Sequence, residues 1–155
     1  MHVDLHDRLV KIEDERAIER LIASYGPLVD SAEAEATARL WAVEGSYEVE
    51  GWQMRCREDV AAMVRSEQHQ NLVNRGCCHF LGPAVVTLRG DRAVAVCESI
   101  LIVHTGERFA VMRAGANHFR LRRIDNRWQI TQRVTKAVDG TAEPRTLLAS
   151  GVMGE

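Results

Sequence analysis

The sequence predicts an α+β fold in which helices come first and a curved antiparallel sheet follows. Three observations carry this. Apolar residues in the first third recur at spacings of three and four. From Cys78 onward the chain becomes long runs rich in valine and isoleucine, cut by turn residues. Helical runs followed by strand runs, without regular alternation, mean α+β rather than a doubly wound parallel sheet. With 155 residues and 17.4 kDa, the chain fits one domain spanning residues 1–155.

The elements follow in order. Leu5, Leu9, Ile12, Ile18, Leu21, Ile22, Tyr25, Leu28 and Val29 form one apolar stripe, so a long helix is expected. Between them run charged residues with opposite-charge pairs four apart. Gly26-Pro27 predicts a kink or break, because proline lacks an amide hydrogen and crowds the preceding turn. A second helix is expected from about Ala32 to Trp41. Ser46 to Trp52 alternates like a short strand or hairpin arm, and Arg57 to Ser66 reads as a third helix with Val60, Met63 and Val64 inward. His79 to Leu88 is a strand interrupted at Gly82-Pro83. Three long strands follow, Ala93–His104, Phe109–Ile124 and Trp128–Val138, joined by Gly90-Asp91, Thr105-Gly106-Glu107 and Asp125-Asn126 turns. A short helix near Arg145 to Ala149 closes the chain. Long strands must twist and curl, and helices on the concave face can leave a cone-shaped hollow.

Composition excludes several classes of function. Hydrophobic residues are 46% and charged residues 27%, the balance of a globular chain. No apolar run approaches the roughly 20 residues of a membrane helix. The start, Met1 to Asp7, lacks an apolar signal core, so a cytoplasmic location is expected. A net charge of −2 argues against nucleic-acid binding. Positive charge is almost all arginine, Lys11 and Lys136 being the two lysines; codon bias explains this more simply than anion binding. Cys56, Cys77, Cys78 and Cys97 show no CxxC spacing and read as small buried or half-buried residues. His2 and His6 sit four apart beside Asp7, a weak zinc spacing at a chain end, so no metal is expected.

The order and spacing of several motifs resemble the NTF2-like superfamily, in its SnoaL-like branch, over about residues 7 to 140. Ala17 to Tyr25 followed by Asp30 resembles the first-helix motif, with tyrosine five positions before aspartate. Ala38-Arg39-Leu40-Trp41 resembles the second helix, and Gly45-Ser46-Tyr47 the start of the first strand. His79-Phe80-Leu81 resembles a histidine-bearing strand start, Gly90 to Ala93 the next turn, and Leu121 to Ile130 the closing hairpin. The resemblance implies a cone with about three N-terminal helices over the sheet. Dehydratases and a dehydrochlorinase of that superfamily pair an aspartate from the first helix with a strand histidine, positions matched by Asp30 and His79. His104 is spaced like the second histidine of scytalone dehydratase. Two positions depart: Pro27 falls in the segment presenting Asp30, and Val29 stands where scytalone dehydratase has a tyrosine.

A neutral imidazole can take a proton near pH 7, because its unperturbed pKa is about 6.5. A carboxylate on one ring nitrogen fixes the tautomer and stabilises the imidazolium that forms. Such a dyad suits proton removal from carbon followed by loss of water or halide, or by isomerisation, with no cofactor. Asp30 is equally a candidate N-cap for the next helix, and His79 a candidate pocket wall. His104 or Tyr47 could supply an acid. Tyr25, Trp41, Tyr47 and Trp52 could line a cavity for a flat apolar ligand, or pack in the core. Asn117 and Arg133 could face either way. Glu98, inside an apolar run, is expected to pair with an arginine such as Arg113; as a bare carboxylate base, Glu98 or Asp30 is a further alternative.

The leading expectation is a cofactor-independent lyase or isomerase acting on a small hydrophobic ring compound. The alternative is a non-catalytic ligand-binding module, or the small subunit of a ring-hydroxylating dioxygenase-like complex. The outer sheet face is expected to support self-association as a dimer or trimer.

Overall fold

The computed structural model describes residues 4–155. His2, half of the weak zinc spacing, lies outside them. Five helices and seven strands follow in the order α1 (Leu5–Asp30), α2 (Ala34–Ala38), β1 (Trp41–Val49), β2 (Trp52–Met54), α3 (Arg57–Arg65), α4 (Glu67–Arg75), β3 (Cys77–Leu81), β4 (Val85–Arg89), β5 (Arg92–His104), β6 (Phe109–Ile124), β7 (Arg127–Ala137) and α5 (Ala142–Val152). The α+β class holds, with one more helix, α4, than expected. α4 was missed because its sequence, EQHQNLVNR, carries almost no apolar period. Its ends were legible: Ser66 accepts from the His69 amide as an N-cap, and Gly76 stops the helix at φ +99°.

The strands form one curved sheet in the order β2-β1-β7-β6-β5-β3, with β4 also on β5. β3 and β4 pair successive stretches of β5, so the expected strand with a Gly-Pro break is two collinear pieces. The sheet is mixed, not wholly antiparallel: β1 runs parallel to β7. Those strands are far apart in sequence, and turn chemistry reveals only hairpin neighbours. The second helix is shorter than expected, ending at Ala38, and Trp41 opens β1 instead.

α1 lies across the concave face and buries Ile18, Ile22, Tyr25, Gly26 and Val29. Its first half is different. Leu5, Leu9 and Ile12 are exposed. Asp14 pins the middle of the helix to the β6–β7 hairpin, accepting from Arg123 at 2.6 Å and from Trp128 Nε1 at 3.0 Å.

Pro27 does not end the helix; α1 continues to Asp30. Proline removes one backbone bond, but buried Tyr25, Gly26 and Val29 hold that turn against the sheet. Gly26 is required by proximity. A Cβ there would collide with the carbonyl oxygen of His79 on β3. The helix then closes in a Schellman motif: the Glu33 amide donates to Leu28, the Ala32 amide to Val29, and Ala32 takes φ +57°. Asp30 is thus the last helical residue of α1 and not the N-cap of α2, whose cap position is Glu33.

α5 packs on the convex face, contacting β4, β5, β6 and β7. Gly151 lies against Val96 and His118, and His118 Nε2 meets the Glu155 carbonyl oxygen at 2.6 Å. No helix among the described residues is long and apolar enough to cross a membrane.

Candidate functional site

Close approach of α1 to β3 sets Asp30 beside His79. Asp30 Oδ1 lies 2.5 Å from His79 Nδ1, and Oδ2 accepts from the His79 backbone amide at 2.7 Å. The Cys77 thiol also donates to Oδ1 at 3.4 Å. An ionised carboxylate only accepts, so the proton of a neutral His79 sits on Nδ1. Nε2 then carries the lone pair, and it has no protein partner among the described residues. Both side chains are half-buried.

Burial pushes the Asp30 carboxyl up, but the hydrogen bonds from the His79 ring and amide, the imidazolium charge and the Cys77 thiol together hold it below the usual carboxylate range. Asp30 therefore stays a carboxylate at neutral pH. Burial and the neighbouring Asp30 charge push the Cys77 thiol up to about 12. Asp30, Cys77 and His79 offer ligand atoms within 4.8 Å of one another. In this structure the trio is a hydrogen-bonded cluster, with both Asp30 oxygens occupied by the His79 ring, the His79 amide and the Cys77 thiol.

His79 faces a cavity of about 490 Å³ between the concave sheet and α3–α4. Tyr25, Tyr47, Trp52, Met63, His69 and Leu101 supply much of its wall. Tyr25 stands edge-on to His79, with ring centres 6.1 Å apart, and edge-on to Tyr47 at 6.2 Å. Burial, then the neighbouring Tyr47, raises the Tyr25 phenol well above its ordinary value, so it remains a proton donor.

Not every expected residue reaches the cavity. Trp41 is fully buried, stacks on Tyr47 at 5.4 Å and donates its Nε1 to the Ser46 carbonyl at 3.1 Å, so it belongs to the core. Asn117 is also core. Its Oδ1 accepts from Arg133 at 2.8 Å and from Thr135 at 2.7 Å, while Nδ2 donates to Ser99 at 2.8 Å. His104 ends β5 outside the cavity, its ring against Phe109 at 5.0 Å. The alternation of β5 gives Leu101 to the cavity and leaves His104 past its end. Glu98 is exposed and unpaired among the described residues; Arg113 meets Glu50 instead, at 3.2 Å. The half-buried reading fails for Cys78, which is exposed.

Two residues gain importance from the structure. Arg133, 2% exposed, lies beneath the aromatic wall, its guanidinium 4.1 Å from the Tyr25 ring centre and 4.5 Å from that of Tyr47. Its Nε and Nη1 have no hydrogen-bond partner among the described residues, so the rings hold much of this buried charge. His69 was not expected from sequence. Its Nε2 lies 2.8 Å from the Val29 carbonyl, which can only accept, so Nδ1 is left as an acceptor. Its only sequence signal was Ser66 three positions earlier, marking a helix start.

The chain matches the SnoaL-like domain family over residues 10–134. Among solved structures, an NTF2-like protein with a cystatin-like fold from Novosphingobium aromaticivorans is 39% identical, with a TM-score of 0.91 over 96% of this chain and 99% of that chain. A scytalone dehydratase-like protein from the same organism is 17% identical, with a TM-score of 0.69 over 84% and 86% of the two chains. A ring-hydroxylating dioxygenase beta subunit-like protein, again from that organism, is 19% identical, with a TM-score of 0.71 over 83% and 91%. These last two likenesses are of fold. No curated protein matches the sequence.

Proposed function

The chain belongs to the SnoaL-like family of NTF2-like domains, and from that premise we propose that it is a cofactor-independent lyase or isomerase working through an Asp30–His79 base. The observation that carries this reading is the 2.5 Å contact between Asp30 and His79 Nδ1, which leaves Nε2 free at the cavity. His79 Nε2 takes a proton from a carbon made acidic by a neighbouring carbonyl or leaving group. Asp30 stabilises the imidazolium. Electron density released at the carbon expels hydroxide or halide, or returns a proton elsewhere. Tyr25 or Tyr47 donates to the oxygen on which charge develops, a role for which the raised Tyr25 value keeps its proton available. With His104 outside the cavity, it has no part in this reading.

The substrate class is a small hydrophobic ring compound. Trp52, Met63 and Leu101 offer apolar wall, and the volume suits a ligand of that size. Turnover of a panel of hydroxylated and halogenated ring compounds tests the proposal. His79→Gln and Asp30→Asn are expected to lower turnover by about 10²- to 10⁴-fold. Full turnover in both variants would overturn it.

One observation favours a second reading. Asp30 also accepts from the His79 backbone amide, so the carboxylate ties α1 to β3 whatever else it does. A ligand-binding module would use the same tie with no chemistry. Under that reading the panel shows binding without turnover, and Asp30→Asn costs stability alone.

A second copy of the chain completes the proposal. Phe80 on β3 and Ile100 on β5 are cross-strand partners on the convex face, both exposed. A large exposed apolar pair of this kind suits burial against another subunit.

A further inference from the structure

We infer that the convex face of the sheet carries a second, separate binding site: a pocket for a compact oxyanion with two or more negative charges, held by Arg89, Arg92, Arg120 and Arg122. The pocket measures about 520 Å³ and is walled by those four arginines together with Thr87 and Gly154. Sheet register makes the convergence unavoidable. Arg89 on β4 faces Arg92 on β5, and Arg92 faces Arg122 on β6. Arg120 stands two positions before Arg122 on the same face of β6, opposite Val94. Three neighbouring strands therefore place like charges directly across from one another.

This arrangement is costly without a ligand. Like charges directly opposite in a sheet are destabilising. None of the four arginines forms an ion pair or side-chain hydrogen bond among the described residues. The contrast with Arg123, the next residue along β6, is plain: it meets both Asp14 and Asp91. No aspartate or glutamate is among the residues that line the pocket.

The segment after α5 shapes the pocket wall. After α5, Gly154 turns at φ +81° and passes so close to Thr87 that a Cβ would crowd it, with Arg89 Nη2 beside it. His118 anchors this segment through the Glu155 carbonyl oxygen, at 2.6 Å. A floor of sheet, a wall of fixed backbone and four guanidinium groups suit the forked recognition of phosphate or carboxylate oxygens. The arginine bias of the composition thus has a local structural counterpart. The site is on the opposite face from His79 and does not depend on its chemistry.

Inorganic pyrophosphate is the probe. Thermal unfolding of the full chain is followed against pyrophosphate and against sodium chloride at equal ionic strength, with citrate as a carboxylate counterpart. A saturable rise in Tm is expected with pyrophosphate, about 5–10 °C at a hundredfold excess over Kd, and not with sodium chloride. Arg92→Gln/Arg122→Gln should weaken pyrophosphate binding at least about tenfold by titration calorimetry. Arg89→Gln/Arg120→Gln should do the same, and all four positions are exposed, so the fold is kept. Both double variants should match or exceed the wild-type Tm in anion-free buffer, because repulsion is removed. Citrate binding in place of pyrophosphate would assign the ligand to polycarboxylates within the same site. An equal rise with sodium chloride, or an undiminished pyrophosphate response in both variants, would overturn the inference. So would a Tm that depends on protein concentration but not on pyrophosphate, since an acidic surface of a second copy would then fill the cluster.

Discussion

The Asp30 carboxylate makes three contacts beside the cavity, and two of them are to one residue. His79 gives it both a ring nitrogen and a backbone amide. The pair was legible in sequence through its motif spacing. Its neighbours were less so. His104 carried the same residue type and a familiar spacing, yet strand position takes it out of the cavity. Trp41 and Asn117 went to the core because residue type and strand position do not say whether an inward side chain lines the cavity or is packed beneath its wall. His69 was hidden in a polar stretch. Burial, then the nearby His79 charge, depresses its value below the ordinary 6.5, against the Val29 carbonyl and Asp30, which raise it. The unfolded chain therefore binds more protons just below pH 6.5, and stability rises with pH across that window. The His69 contribution is complete above about pH 6.5 and is lost as pH falls through the depressed folded value. Urea unfolding between pH 5 and 7 should show this loss, and His69→Gln should flatten it. The Asp30 contribution has the same sign but a lower window: it is complete above the ordinary carboxylate value of 3.8 and disappears below it.

The end of α1 decides whether the dyad forms. Gly26 lets the helix touch β3 at His79, and the Schellman closure then fixes Asp30 as its last residue. Gly26→Ala should push the helix off the strand, at a cost of about 1–3 kcal/mol in denaturant unfolding. Turnover should fall with it, because proton transfer tolerates little displacement. Ala32 pulls the other way. It holds a left-handed conformation that costs a non-glycine residue about 1–2 kcal/mol. Ala32→Gly should therefore stabilise the protein by about 0.5–1 kcal/mol, after the greater unfolded-state freedom of glycine is subtracted. Sequence marked both elements but misjudged their joint. Pro27 signalled an interruption because proline chemistry is local, whereas the buried contacts of Tyr25, Gly26 and Val29 are not. The parallel pairing of β1 with β7 was hidden for the same reason.

Over the whole molecule, the two faces of one sheet do different work. The concave face holds the aromatic cavity with His79 at its wall, and the convex face is divided by α5. On one side of that helix lie exposed Phe80 and Ile100, and on the other the arginine cluster. Self-association through the apolar side should appear in sedimentation velocity as a dimer or trimer, and Phe80→Glu should shift it toward monomer without changing the Tm by more than a few degrees. The α+β class and the long strands were legible because periodicity and turn residues report them directly. What covers an exposed face is not, since the stripe of Leu5, Leu9 and Ile12 obeys helical spacing and still meets solvent. The proposed chemistry rests on the state of one imidazole. Nitrogen-15 NMR of the neutral His79 ring measures it without any substrate. A proton on Nδ1 and a bare Nε2 are expected, with that preference lost in Asp30→Asn. A proton on Nε2 in the wild-type protein, or a tautomer indifferent to Asp30→Asn, would contradict it.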